Sequence, residues 1–343
     1  MKKKLSLAGL LPDELKKSLE NIPGMEKLPA YRAKQICGWI NGGTGSFDEM
    51  KNLPLQTRAL LEENFSVYSS AVNAALKDDD GTVKLQITLH DKQKIEAVIL
   101  RDGKNRKTAC LSVQAGCACK CAFCKTGQLG FKRNLDYKEI AEEFLHIKNV
   151  DGEKENPVTH IVFMGMGEAL LNLENVRKAV DFFCDGLNIS KRRITLSTCG
   201  ITEGINRLTE EGPDIRLALS LVTANETLRK NLMPVTAFYP LAEVKKSLIY
   251  HQKKRKRRIT FEMVLLKGIN TSEKDAAEAA EFASGLEVIF NLIPWNPVDG
   301  IMYEKPSRVE AENFAKLLEA KGQKVTMRYG KGSGIAGACG QLG

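Results

Sequence analysis

Apolar side chains in the first 68 residues recur at helical spacing. Leu11-Pro12-Asp13-Glu14-Leu15 opens one helix, Ala30 through Ile40 carries another, and Asn41-Gly42-Gly43-Thr44-Gly45-Ser46 interrupts the pattern. From Thr82 the period changes to two. Val83, Leu85, Ile87 and Leu89 fall on one face, and a second run, Ile95 to Leu100, follows His90-Asp91-Lys92-Gln93, which predicts an antiparallel pair. A charged turn from Arg101 to Lys107 leads into a region where apolar runs alternate with amphipathic helices. Strands are predicted over 108–113, 159–164, 193–197, 215–221, 259–266 and 287–292, and helices over 137–150, 173–183, 241–252 and 276–283. This alternation implies an α/β fold, either a (βα) barrel or a doubly wound sheet, with helices outside and ligands at the carboxyl ends of the strands. Six units favour an incomplete (βα)6 barrel. The expected division is a helical module over 1–68, a β-hairpin extension over 69–107 and the partial barrel over 108–343.

Composition adds a partner class. Among 343 residues, 51 are basic and 42 acidic, a net charge of +9 that suits a polyanion such as nucleic acid. The run Lys253-Lys254-Arg255-Lys256-Arg257-Arg258 is either a solvated loop or a phosphate contact, and Lys132-Arg133 and Lys191-Arg192-Arg193 could extend such a patch. No run of about 18 apolar residues is present, and Met1-Lys2-Lys3-Lys4-Leu5 lacks the apolar stretch of a signal peptide, so a cytoplasmic protein without membrane contact is expected. His90, His146, His160 and His251 have no paired metal spacing.

The nine cysteines form an odd set, and four fall within Gly116-Cys117-Ala118-Cys119-Lys120-Cys121-Ala122-Phe123-Cys124. Thiols packed this tightly are metal ligands rather than disulfide partners in a reducing compartment. Cys117, Cys121 and Cys124 give Cys-x3-Cys-x2-Cys with no fourth ligand at zinc spacing. Three thiolates suit an iron-sulfur cube with one open iron. Cys119 reads as a bystander on the loop, and Cys37, Cys184 and Cys199 as packing residues.

Polar groups follow the predicted strands. Gly165-Met166-Gly167-Glu168-Ala169 is either a plain turn or a ligand-binding segment in which Gly167 admits close approach and the Glu168 carboxylate holds an ammonium. Ser197, Ser220-Leu221-Val222 and Asn296 stand at equivalent rims, where a nucleoside and a carboxylate would need partners. Cys339 lies in a glycine-rich segment that reads as flexible, with an accessible thiol. Cys110 sits between Ala109 and Leu111 and by itself reads as core.

The cysteine spacing, with Phe123 before the last ligand, resembles that of the radical S-adenosylmethionine enzymes. Their cluster and S-adenosylmethionine together generate a 5'-deoxyadenosyl radical. Gln114-Ala115-Gly116-Cys117, Gly127 to Leu135, Gly165-Met166-Gly167-Glu168, Asn291 to Pro297 and Ala338-Cys339-Gly340-Gln341-Leu342 together resemble the RlmN/Cfr family of RNA methyltransferases, over nearly the whole chain. The resemblance implies one 4Fe-4S cluster and S-adenosylmethionine as cofactors. It implies methylation of carbon 2 of adenine in 23S rRNA and tRNA, two S-adenosylmethionine per methyl, and an electron donor such as flavodoxin; a monomer is expected. Cys339 then becomes the methylated cysteine, Cys110 the thiol that resolves the protein–RNA adduct, and Glu96 the proton acceptor. Ala169 stands where carbon-2 members usually carry proline and is shared with the branch that modifies carbon 8. Val222 stands where they carry histidine, whereas Trp295 resembles the carbon-2 branch. A radical enzyme acting on a small molecule and a non-catalytic iron-sulfur RNA-binding protein are the alternatives.

Overall fold

The computed structural model describes residues 4–343 apart from 27, 103–105 and 154, so part of the charged turn between Arg101 and Lys107 lies outside the described residues. The first segment is helical as the apolar spacing requires. β1 (Leu5–Ser6) is followed by α1 (Pro12–Glu20), α2 (Ala30–Asn41) and α3 (Leu55–Asn64), and β2 (Phe65–Ser66) returns to pair in parallel with β1. Proline at its start and Asp13 and Glu14 in its first turn favour α1, because they suit the unsatisfied amides and positive dipole end there. Leu15, Leu19, Ile36 and Ile40 face inward between α1 and α2 and are almost fully buried.

Next come three antiparallel strands, β3 (Ala71–Lys77), β4 (Val83–Thr88) and β5 (Lys94–Arg101). The predicted pair is β4 and β5; β3 is an added edge strand whose side chains are mostly exposed. β5 pairs antiparallel with β6 (Lys107–Cys110), so the extension continues the main sheet rather than hanging from it. After β6, the short strands β7 (Gln114–Ala115) and β8 (Arg133–Asn134) form a separate ribbon enclosing the cysteine loop and α4 (Lys125–Gln128).

The chain then alternates as expected: α5 (Tyr137–Asp151), β9 (His160–Phe163), α6 (Leu173–Asp181), β10 (Ile194–Thr198), α7 (Thr202–Glu211), β11 (Arg216–Ser220), α8 (Glu226–Leu232), α9 (Leu241–Arg255), β12 (Ile259–Leu265), α10 (Glu273–Ala283), β13 (Val288–Pro294), α11 (Arg308–Ala320) and β14 (Val325–Met327). β6 and β9 through β14 pair in parallel, in sequence order. The six predicted strands are present, and β14 adds a seventh. The sheet begins at β14 and ends at β3 without closing on itself, giving an incomplete barrel. No helix among the described residues is long and apolar enough to cross a membrane.

Two expectations are corrected. The glycine-rich segment around Cys339 is pinned, not flexible. Gly332 N–H donates to Asp80 (2.9 Å), Gly334 N–H to Asp78 (3.0 Å) and Gly343 N–H to Glu96 (2.9 Å), while Lys84 Nζ reaches the Ala336 carbonyl (3.2 Å). Its backbone polar groups find partners on the extension, far away in sequence, which no local pattern announces. The basic run at 253–258 is also partly consumed. Arg255 donates to the carbonyls of Leu208, Thr209 and Gly212 and so caps α7, Arg257 grips Asp214, and Lys254 pairs with Glu210. The run precedes β12, at the amino end of the sheet, as Lys191-Arg192-Arg193 precedes β10.

A carboxylate on α5 helps fasten the helical segment to the barrel, beside the hydrogen bond from Asn41 Nδ2 to the Gly186 carbonyl (3.1 Å). Glu142 is completely buried and accepts hydrogen bonds from Ser6 Oγ (2.6 Å), Ser69 N–H (2.8 Å), Ser70 N–H (2.9 Å) and the Ser69 and Ser70 hydroxyls. Removing the acceptor strands buried donors, each a loss of about 1–3 kcal/mol. Glu142→Ala should therefore lower stability by several kcal/mol in urea unfolding, and Glu142→Gln, which keeps one acceptor oxygen, by less.

Candidate active site

The carboxyl ends of the parallel strands open onto a cavity of about 1050 Å³, counting the part continuous with solvent. Cys117, Cys121 and Cys124 line one wall. The loop that carries them is held by its backbone. Cys117 N–H donates to the Gly130 carbonyl (3.2 Å), Ala122 N–H to Leu232 (2.8 Å), and Trp295 Nε1 to the Phe123 carbonyl (2.9 Å). Gly116 has φ +76°, and a Cβ there would sit 1.8 Å from the Gly130 oxygen, so only glycine permits this crossing. Three thiols from one short, fixed loop facing a common void fit a cluster that leaves one iron open.

Cys119 is not a surface bystander. It turns under the loop, 2% exposed, and its sulfur, the Cys199 sulfur and a Glu168 oxygen lie within 4.8 Å of one another. Cys199, expected to be a packing residue, lines the cavity.

Gly167, Glu168, Ser197, Ser220 and Val222 line the same cavity. Glu168 is buried and accepts from the amides of Cys199 (2.7 Å) and Leu170 (3.0 Å), yet burial holds its pKa well above the usual carboxylate range. A cation arriving beside it would restore the charged form, which suits the ammonium of an amino acid. Ser197 and Ser220 hydroxyls lie 3.2 Å apart. Val222 has φ +62°, a left-handed conformation that costs a β-branched residue roughly 1–3 kcal/mol, and its carbonyl is fixed by Asn270 Nδ2 at 2.9 Å. Leu221 is fully buried and contributes its backbone rather than a cavity-lining side chain.

That backbone is organised by Arg229, which the sequence reading missed. Its side chain is 0% exposed and makes no salt bridge among the described residues. Instead it donates to the carbonyls of Cys199 (2.7 Å), Ser220 (3.1 Å) and Leu221 (3.0 Å) and to Thr236 Oγ1 (2.7 Å). One guanidinium thus clamps the rims after β10 and β11.

A second space of about 550 Å³ adjoins the first and is lined by Cys110, Met164, Asn296, Arg328 and Cys339, among others. Cys339 lines both spaces, and its carbonyl accepts from Asn296 Nδ2 (3.1 Å). Burial pushes the Cys110 thiol up to about 12, with Cys339 adding to the rise and Arg328 opposing it. Cys339 is raised too, again by desolvation and against Arg328, with Glu262 adding to it. Glu262, raised by burial, takes a 2.7 Å hydrogen bond from Asn291 Nδ2. Arg328, also unforeseen, is the cation facing both thiols, and its place just beyond β14 is the rim position that would have flagged it. Glu96 lies elsewhere: its buried carboxylate pairs with Lys84 Nζ (3.1 Å), accepts from Gly343 and lines a separate groove.

Residues 111–280 match the model of the radical SAM superfamily. A probable dual-specificity RNA methyltransferase RlmN of Treponema denticola is 48% identical over 344 aligned positions, covering 100% of this chain and 96% of that protein. One of Thermus thermophilus is 41% identical, covering 96% and 93%. The crystal structure of a radical SAM methyltransferase from Sphaerobacter thermophilus superposes with a TM-score of 0.93 at 35% identity, over 98% of this chain and 99% of that one.

Arg229→Met should remove hydrogen bonds from four acceptors, of which the Leu221 carbonyl keeps the Thr223 amide (2.7 Å), and cost about 3 kcal/mol or more in urea unfolding. Arg229→Lys should recover part of the loss. Calorimetry should find weaker S-adenosylmethionine binding in both.

Proposed function

Since the chain belongs to the radical SAM superfamily and, within it, to the RlmN family of RNA methyltransferases, we propose that it methylates carbon 2 of adenine in 23S rRNA and tRNA through a methyl-cysteine. Its cofactors are a 4Fe-4S cluster and S-adenosylmethionine. Cys117, Cys121 and Cys124 would hold the cluster. Gly167, Glu168, Ser197, Ser220, Leu221, Val222 and Asn296 would hold S-adenosylmethionine, with Glu168 taking the ammonium. The helical module over 1–68 would bind RNA, the strands over 69–107 would join it to the barrel over 108–343, and the enzyme would work in the cytoplasm as a monomer supplied by a donor such as flavodoxin.

The observation that carries this reading is the position of Cys339, the one thiol among the described residues that lines both the space of the three loop cysteines and the space of Cys110. When bound, the cofactors supply two things: a methyl group, and a radical able to take hydrogen from it. Two S-adenosylmethionine molecules are needed per product. Cys339 carries the one-carbon unit as a thioether, held in place by Asn296 on its carbonyl. After that carbon has joined the ring, the adduct must lose an electron, with the cluster held by Cys117, Cys121 and Cys124 as its acceptor, and the ring proton, which passes to solvent in the open cavity; Glu96, the acceptor that the resemblance implies, lines the separate groove and is paired with Lys84. Release then requires the carbon–sulfur bond to break. The Cys110 sulfur attacks the Cys339 sulfur, a disulfide forms, and the electron pair of the broken bond goes to the carbon, which takes up a proton. Arg328 favours the thiolate form of both cysteines.

Cys110→Ala should still methylate Cys339 and attack RNA, then accumulate a covalent protein–RNA species visible on a denaturing gel with labelled RNA and removed by nuclease. Cys339→Ala should give neither the adduct nor product. Because Cys110 is a neutral thiol at neutral pH, its reactive fraction rises about tenfold per pH unit below its pKa. Decay of the wild-type adduct in a single turnover should accelerate between about pH 7 and 9. Turnover by Cys110→Ala at the wild-type rate would overturn the mechanism, and mass analysis of the modified nucleoside decides between carbon 2 and carbon 8.

A further inference from the structure

With the 253–258 run at the amino end of the sheet and half consumed, the charge that meets RNA near the cavity must come from elsewhere. A groove of about 990 Å³ lies between the β4–β5 turn and the β7–β8 ribbon. Three lysines line it: Lys92 and Lys94 from the turn, and Lys132 beside β8. All are exposed, and among the described residues none of their ammonium groups has a partner.

The carboxylates nearby are already engaged. Asp91 and Glu139 are both held by Arg133, at 2.6 and 2.7 Å, and Glu96 by Lys84 and the Gly343 amide. The three lysines therefore face the groove as uncompensated charge. Half-exposed Leu129 adds an apolar contact on the same wall.

Groove and catalytic cavity are separated by a wall one residue thick. Gly116, Met166 and Gly343 line the groove, while their chain neighbours Cys117, Gly167 and Leu342 line the cavity. The Leu342–Gly343 stretch of that wall is fixed at both residues, by Thr126 Oγ1 on the Leu342 carbonyl (2.6 Å) and by Glu96 on the Gly343 amide (2.9 Å).

We infer that this groove is the track for an unpaired stretch of the substrate RNA, its phosphates on Lys92, Lys94 and Lys132, with the target nucleotide turned over the Leu342–Gly343 wall into the cavity. The inference rests on the RNA reading above. It accounts for the position of the β4–β5 extension, which supplies two of the three cations and the anchor of the wall.

The test is the affinity of the cluster-loaded enzyme for a fluorescein-labelled hairpin RNA with an adenine-containing loop, measured by anisotropy against salt. In the variant carrying Lys92→Gln, Lys94→Gln and Lys132→Gln, binding should weaken roughly tenfold or more. The slope of log affinity on log salt should fall by roughly 2, since each single-strand phosphate contact contributes about 0.7. Changing Lys253, Lys256 and Arg258 to Gln should leave the slope unchanged. All six positions are surface lysines or arginines, so unaltered iron content and melting check that the fold survives. Wild-type binding with an unchanged slope in the groove variant, or a flattened slope in the 253–258 variant instead, overturns the groove. If the wild-type protein binds no RNA, the RNA reading itself fails and the groove with it.

Discussion

An irregular, glycine-rich segment has no ladder or helix of its own to fix it, so its place depends on hydrogen bonds from elsewhere, and this constraint governs the site. The segment carrying Cys339 meets it by borrowing from three places: carboxylates and a lysine on the β3–β5 extension, the cysteine loop through Lys125 and Thr126, and Asn296 after β13. The extension is thus part of the active-site wall. Without it the residues on either side of the thiol would lose their anchors there, and Asn296 and the Lys125 amide would remain to hold it.

Charge is handled by the same economy. Burial favours the neutral forms of Cys110, Cys339, Glu168 and Glu262, and two arginines serve the cavity differently. Arg229 is spent on backbone carbonyls and shapes the rim, whereas Arg328 has its charge directed at Cys110, Cys339 and Glu262. A site for a sulfonium beside an iron-sulfur cluster needs its fixed charges kept apart in this way.

The barrel was legible because buried parallel strands are apolar runs separated by helices, and the six strands and four helices expected are present close to their expected limits. β3 was not, since an edge strand with mostly exposed side chains has little apolar contrast, and β14 is only three residues long. The cysteine loop and the rim residues were legible from spacing and position. What could not be read were groups whose meaning depends on distant partners. Arg229 looks like any helical arginine until three carbonyls converge on it, and the 253–258 run looks free until Arg255 is seen closing α7. Cys119 lies two residues from a proposed ligand, yet its neighbours, Cys199 and Glu168, come from other strands' rims.

The hydrogen bonds that hold the Cys339 segment against the extension join residues 247 to 256 positions apart. The position of Cys339 is thus set by contacts between the extension and residues far along the chain, whereas the loop of Cys117, Cys121 and Cys124 is held in part by a nearer one, Cys117 N–H on the Gly130 carbonyl, thirteen positions away. The two halves of the site are therefore fastened separately, and loosening the segment that carries one thiol need not disturb the loop that carries three.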